Sequence, residues 1–126
     1  MRRVRLVTVV GLALALSACD WGPRGHGQLS GSVTSGAIPV GAIVLEVSGP
    51  GVQGFSDSGQ TRVFFAEPET DMYRVVLVTS DPDRIQFQVA VDDVRSPSLT
   101  VVVVEAVDDS NAAITNLSGI SVELNR

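Results

Sequence analysis

The chain contains few of the side chains on which most catalytic and metal sites depend. Its 126 residues include one cysteine, one histidine and no lysine. One histidine and one cysteine are too few for a zinc site, and without lysine neither a Schiff base nor a Walker phosphate loop can form. The histidine, His26, lies between two glycines, where no rigid element would hold it beside a nucleophile. We therefore expect no enzyme activity and no cofactor.

Aromatic side chains are also scarce, and this bears on the class of ligand. A glycan-binding face would be lined with aromatic rings, whereas the chain has only one tryptophan, one tyrosine and four phenylalanines. The scarcity argues against carbohydrate and favours contact with protein. The six aromatic residues are Trp21, Phe55, Phe64, Phe65, Tyr73 and Phe87.

The first residues have the order of a secretory signal peptide. Three arginines within residues 2–5 precede an almost unbroken apolar run over residues 6–16, and small residues follow. The run is too short to cross a bilayer, which takes about 20 apolar residues. A plain secretory signal would also end in small residues, but it has no need of the cysteine at position 19.

The segment Leu16-Ser17-Ala18-Cys19 resembles the lipobox of bacterial lipoproteins. The resemblance implies that residues 1–18 are removed and that a diacylglyceryl group is attached to the sulfur of Cys19, with acylation of the new amine in many bacteria. Two or more acyl chains anchor a protein stably where one does not. The expected location is therefore the cell envelope, with the bilayer as a partner through the lipid on Cys19.

Processing also changes the charge. It removes three of the nine arginines and none of the fourteen acidic residues, so the net charge falls from −5 to −8. An acidic domain repels nucleic acid and anionic lipid headgroups, and we expect neither as an electrostatic partner. The alternative explanation of the charge is solubility beside an anionic membrane.

The remaining chain divides into a tether and one domain. Glycines and a proline punctuate residues 19–27, which we interpret as the lipidated cysteine and a flexible tether. Residues 28–126 have the usual size of a single domain with one hydrophobic core. Within them the apolar residues alternate with polar ones, most clearly over residues 85–91, and turn clusters separate the runs. The pattern predicts about seven strands, near 29–34, 42–48, 61–66, 72–79, 84–91, 98–107 and 118–124.

Short strands of this kind are typical of an all-β sandwich or barrel. The strand number and length resemble a single immunoglobulin-like antiparallel β-sandwich. Residues 31–34, 39–44, 57–59 and 73–75 are similar to prealbumin-like repeat domains of bacterial surface proteins, and residues 41–47 with 91–106 look like a cohesin-type sandwich. The chain has no lysine for the isopeptide bond of some such repeats. The resemblance implies an architecture and transfers no site residue.

Two predicted strands are apolar on both faces, in residues 75–78 and 99–104. The outer face of a two-layer sandwich normally meets water, which leads to the hypothesis that an exposed apolar strip on one outer face docks another protein or a second copy. Its candidate residues are Val75, Leu77, Val102 and Val104. The alternatives are that loops or the side chains of Arg62, Tyr73 and Arg74 cover these valines, or that the valines are simply good strand formers.

Acidic loops offer weak candidates for calcium. Asp81 and Asp83 in one loop, and Asp108 and Asp109 in another, would supply oxygen ligands, but neither loop matches the twelve-residue calcium loop. The alternative, which we favour, is that these aspartates accept hydrogen bonds from their own turns. Taken together, the sequence predicts a membrane-anchored, non-catalytic envelope lipoprotein that acts as a protein-binding or adhesion module. A structural or accessory subunit of an envelope complex, or a glycan-binding module, remains the alternative.

Overall fold

The computed structural model describes residues 25–95 and 98–126. Apart from one 3-10 turn at Leu117–Gly119, the regular structure in these residues consists of strands. The predicted signal peptide and most of the predicted tether, Cys19 included, lie outside the described residues. The strands are β1 (Gly27–Thr34), β2 (Val40–Ser48), β3 (Val52–Asp57), β4 (Thr61–Glu69), β5 (Met72–Thr79), β6 (Ile85–Val91), β7 (Thr100–Asp108) and β8 (Ser121–Asn125).

The strands form two antiparallel sheets of four strands each. Sheet A has the order β3-β6-β1-β8, and sheet B has the order β4-β5-β2-β7. In β6 the residues from Ile85 to Val91 alternate between buried and more exposed positions, as expected where one face of a strand packs on a core. The prediction of an all-β sandwich is confirmed.

The hydrophobic core lies between the two sheets and draws on both. Leu29, Phe87 and Val89 come from sheet A, whereas Leu45 and Leu77 come from sheet B, and each is at most 1% exposed. Complete burial of a side chain of this size contributes about 1.5–3 kcal/mol. Among the described residues no buried polar side-chain atom lacks a hydrogen-bond partner, so the core needs no further group to complete it.

The structure has one strand more than the sequence pattern indicated. The additional strand is β3, which lies at the edge of sheet A and pairs only with β6. The sequence does not indicate this strand, because Gly54 interrupts its alternation of apolar and polar residues and a register shift falls between Val52 and Gly54. Only Phe55 of β3 is fully buried, so the apolar alternation is too short to be recognised.

The two ends of the sandwich differ in what they carry. At the N-terminal end β1 begins, and the carbonyl of Gly25 accepts a hydrogen bond from the Val94 amide at 3.3 Å. The turn of residues 49–51 joins the sheets at the same end, where the Asp92 amide donates to the Gly51 carbonyl at 2.8 Å. The opposite end carries the loops of residues 35–39, 80–84 and 109–120. A tether preceding Gly25 therefore leaves the domain at one end of the strands.

Candidate functional site: the outer face of sheet B

The outer face of sheet A is almost entirely polar. Positions that alternate with the inward-facing residues of β1, β6 and β8 carry serine, threonine, glutamine and asparagine, with one glutamate and the small Ala90. This is the usual surface of a sandwich that meets water on its outer sides. The polar residues of this face are Gln28, Ser30, Ser32, Thr34, Gln86, Gln88, Ser121, Glu123 and Asn125.

The outer face of sheet B is apolar at its centre. Phe64 of β4, Val78 of β5 and Val102 of β7 are 59%, 43% and 51% exposed. Val76 pairs with Phe64 on one side and with Val44 on the other, so the apolar residues continue across neighbouring strands. We call this surface the apolar face and define it as Ala42, Val44, Phe64, Val76, Val78 and Val102.

Two of the predicted interface residues, both on β5, face the core instead of solvent. Val75 and Leu77 have no exposed surface and belong to the core, so they cannot dock a partner. Side chains alternate along a strand, and the buried Tyr73 places Val75 and Leu77 on the inner side. The residues available to a partner are Val76 and Val78. In the sequence, Arg74 indicates which residues of β5 face outward, because a charged side chain normally faces water. The residues two and four positions further along the strand, Val76 and Val78, lie on the same side as Arg74.

On β7 the prediction and the structure agree more closely. Val102 is exposed, as expected of an interface residue, whereas Val104 is half-buried. A register shift in the pairing with β2 leaves Val104 opposite no residue, since Leu45 pairs with Val103 and Val44 with Glu105. With regular alternation Val104 would face outward and Glu105 inward. Because of this β-bulge, Glu105 faces outward instead.

Charged residues lie along the two sides of the apolar face. Arg62 of β4 and Arg74 of β5 occupy one side, and Glu46 of β2 and Glu105 of β7 occupy the other. Arg74 Nη2 lies 3.5 Å from Glu46 Oε2, with the Arg74 side chain exposed and the Glu46 side chain partly buried. A partly exposed pair of this kind contributes little to stability.

An open groove runs along β4 at the edge of the apolar face. It has a volume of about 550 Å³ and is lined by Phe64, Phe65, Ala66, Pro68, Arg74 and Val76. The groove is mainly apolar and reaches the free edge of sheet B. A partner that covers the face would therefore also meet the exposed rings of Phe64 and Phe65.

Beneath this groove the aromatic rings of β3, β4 and β5 pack together. The Phe55 ring centroid lies 5.1 Å from that of Phe65 and 5.5 Å from that of Tyr73. The Tyr73 hydroxyl donates to the Val52 carbonyl at 3.1 Å. Burial raises the pKa of Tyr73 above its ordinary value, and the negative charge of the nearby Glu67 carboxylate raises it further. The phenol is therefore a structural group that stays protonated.

The edges of sheet B differ in how well they are protected from another strand. On β4 the Val63 amide donates to Asp57 Oδ1 at 2.7 Å, and Pro68 has no amide hydrogen to donate. On β7, within the described residues, an isolated bridge between Val107 and Ala113 covers the far end, and β2 alone pairs with the rest. The first half of β7 is thus an open edge, although the bulge at Val104 disfavours regular pairing there.

The calcium candidates, Asp81, Asp83, Asp108 and Asp109, lie at the end of the sandwich opposite the N-terminus, where the side chains of Asp81 and Asp108 accept hydrogen bonds from their own turns. Asp81 Oδ1 accepts from the Asp83 amide at 3.2 Å. Asp108 Oδ1 accepts from the amides of Ser110 and Ala112 at 2.8 and 2.9 Å. Within residues 25–95 and 98–126 no three acidic, histidine or cysteine side chains come together as a metal site would require.

The remaining chemical candidates are also separated from one another. His26 lies against β3, with Nδ1 3.2 Å from Gln53 Oε1, and is exposed. Asp93 Oδ1 accepts a hydrogen bond from the Arg95 amide at 2.9 Å, which is again a turn bond. The apolar face is therefore the candidate site, since it is the feature of the described residues that the fold itself does not require.

Comparison with known proteins provides no further identification. No family model, curated protein or solved structure matches this chain. The resemblances to the lipobox, to cohesin-type domains and to prealbumin-like repeats therefore stay predictions from the sequence. No helix in the described part of the chain is long and apolar enough to span a membrane.

Proposed function

We propose that the protein is a lipid-anchored, non-catalytic module of the bacterial cell envelope that binds a protein through the apolar face of sheet B. The observation that carries the proposal is the contrast between the two outer faces. Gln86 and Gln88 on sheet A meet water with polar side chains, whereas Val76 and Val78 on sheet B do not. Both faces belong to the same sandwich, so strand propensity alone does not explain the difference.

The position of the tether supports contact with proteins in the same membrane. Residues 19–24 reach at most about 20 Å when extended, which keeps the domain close to the bilayer. Because the chain enters at one end of the strands, the apolar face lies along the side of the domain. A face placed this way is open to neighbouring envelope proteins.

Protein is favoured over glycan by the chemistry of the face. Its central residues are aliphatic, and its aromatic ring, Phe64, lies at one edge beside the groove, next to the exposed ring of Phe65. Aliphatic surface has no directional hydrogen bonds with which to recognise sugar hydroxyls, but it packs well against another apolar surface. An accessory subunit of an envelope complex would use this same surface.

A pair of matched double variants tests the proposal. Val78→Glu with Val102→Glu places two charges on the apolar face, and Ser30→Glu with Gln86→Glu places two on the polar face. We expect both variants to keep the β-sheet circular dichroism spectrum of the wild type, since all four side chains are exposed. Cross-linking in intact cells should then lose its protein adducts only in the first variant.

Mass spectrometry of the mature chain provides the second arm of the test. The proposal requires a chain that begins at Cys19 and carries added acyl mass. Retention of residues 1–18 without acyl groups would contradict the anchor. Adducts that persist unchanged in the Val78→Glu and Val102→Glu variant would contradict the binding face.

A further inference from the structure

We propose that the apolar face binds the same face of a second copy, giving a two-fold dimer whose axis runs parallel to the strands of sheet B. The inference rests on the proposed function and names its partner. Three observations lead to it: the distribution of charge, the register of the strands and the end at which the chain enters the domain.

Within the three rows of the apolar face the charges are balanced and divided between its two sides, and Glu69 of β4 lies one row beyond them, beside Met72. Arg62 and Arg74 lie on the β4–β5 side, and Glu46 and Glu105 lie on the β2–β7 side. The chain as a whole is acidic, with a net charge of −5 before processing. Two copies would therefore repel each other over most of their surfaces, but not at this face.

The division of charge distinguishes a symmetry axis along the strands from one across them. Two identical faces that stack face to face are related by a two-fold axis lying in the plane between them. An axis across the strands would place the arginine side of one copy over the arginine side of the other. An axis along the strands, between β5 and β2, places β5 over β2 and β4 over β7. Each arginine side then faces a glutamate side.

The register shows which residues meet in this arrangement. Val44 and Val76 are direct partners within the sheet, as are Glu46 and Arg74. A rotation about an axis between their strands therefore brings Val76 over Val44 of the second copy and Arg74 over Glu46 of the second copy. The result is an apolar centre with a group of four charges around the axis.

The remaining two charges form a contact that cannot exist within one copy. Arg62 and Glu105 lie on opposite edge strands, about 14 Å apart at ordinary strand spacing. Arg62 is level with Val107, since both belong to the row that contains Val78 and Ala42. Glu105 of the second copy is about 7 Å further along the strands, within reach of an extended arginine side chain.

The membrane anchor independently favours the same axis. An axis along the strands leaves both N-terminal ends on the same side of the dimer, as two tethers from one bilayer require. An axis across the strands would place them at opposite ends. The charge pattern and the entry point of the chain thus agree on a single geometry.

The size of the face indicates a weak dimer. Four strands at about 4.8 Å spacing and six residues at about 3.4 Å give a face of roughly 20 by 20 Å. This is smaller than the surface of about 800 Å² that each partner buries in a standard stable interface. Anchoring two copies in one membrane raises their effective concentration, so the dimer should form on membranes more readily than in dilute solution.

Two single charge reversals test the dimer sharply. Arg62→Glu places a carboxylate opposite Glu105 of the second copy, and Glu105→Arg places a guanidinium opposite Arg62 of the second copy. Each variant alone should self-associate about tenfold or more weakly than the wild type, because like charges then face each other. An equal mixture of the two restores both opposite-charge contacts and should pair at least as well as the wild type.

Energy transfer on vesicles provides the measurement. Full-length lipidated chains carrying Ala112→Cys, an exposed position far from the N-terminal end, are labelled with donor or acceptor and placed in phosphatidylethanolamine–phosphatidylglycerol vesicles. We expect transfer in the wild type and in the mixture, and little in either reversal alone. Gln88→Glu and Gln88→Arg, which introduce a charge of either sign on the outer face of sheet A, are the control and should leave the energy transfer unchanged.

The outcomes separate this inference from the proposed function. A mixture that transfers no better than its components overturns the dimer, while acyl mass on the same chains leaves the anchored binding module in place. Chains without acyl groups contradict the anchor. The same mixing in detergent solution, followed by sedimentation, then decides the dimer separately.

Discussion

The ring of Phe87 lies directly against the backbone of Gly31, in the space that a β-carbon on residue 31 would occupy. The two residues are direct partners across β1 and β6, and Phe87 is completely buried. The largest completely buried side chain among the described residues therefore depends on the absence of a side chain on the strand beside it.

Gly31→Ala should destabilise the domain by about 1–3 kcal/mol, because the ring cannot move without displacing its buried neighbours. Gly54→Ala is the matched control, since its β-carbon would lie 3.8 Å from Phe65 in ordinary contact. We expect the control to stay within about 1 kcal/mol of the wild type. Urea denaturation measures both, and equal stability of the two variants would show that the close approach has no energetic consequence.

Much of this core could be predicted from the alternation of the sequence, as the strands around Phe87 and Leu45 show. The phase of β5 could not be read from its valines, because four successive apolar residues fit either face. Only the flanking Tyr73 and Arg74 define it. The bulge at Val104 has no sequence signal, since it arises from pairing with β2, which lies far away in the chain.

The apolar face could be anticipated only in part, for the same reason. Val102 was identified and is exposed, but its companions Val44 and Phe64 come from strands whose order no local pattern reveals. A surface that spans four strands depends on strand order. The sequence therefore indicated that an apolar surface exists without showing which strands build it.

The phenol of Tyr73 should make the stability of the domain fall at high pH. Its pKa is raised above 10.0 in the folded state by burial and by Glu67, so the unfolded chain releases the proton first. Stability is then constant below about pH 10 and declines as the pH rises toward the folded-state pKa. Tyr73 is the only tyrosine, so ultraviolet titration of the phenol reports this group alone.

Tyr73→Phe is the control for that titration. It keeps the ring contact with Phe55 but has no proton to release, so its stability should not decline through the tyrosine titration range. A wild-type phenol that titrates at its ordinary pKa, or a Tyr73→Phe variant with the same alkaline decline, would contradict the assignment.

Asp108→Ala should lower stability by about 1 kcal/mol, because the amides of Ser110 and Ala112 lose their common acceptor. Asp108→Asn keeps an oxygen at the same position and should recover most of the loss. Thermal melting of the three proteins checks the order. An asparagine variant as unstable as the alanine variant would indicate that charge, rather than the turn bonds, matters here.

Calcium should leave the melting temperature unchanged at millimolar concentration. Asp81 and Asp108 each use an oxygen in turn bonds, and no cluster of ligands exists among the described residues. A ligand that binds only the folded state must raise the melting temperature, so a clear rise would contradict this expectation.

The most direct test of the account is photo-cross-linking from each outer face of the protein in intact cells. A photoreactive residue replaces Val78 on the apolar face or Gln86 on the polar face, both exposed in the isolated domain. We predict protein adducts from position 78, including a species of twice the monomer mass, and none from position 86. Equal labelling from both positions, or no adduct from position 78, would contradict the claim that sheet B carries the binding surface.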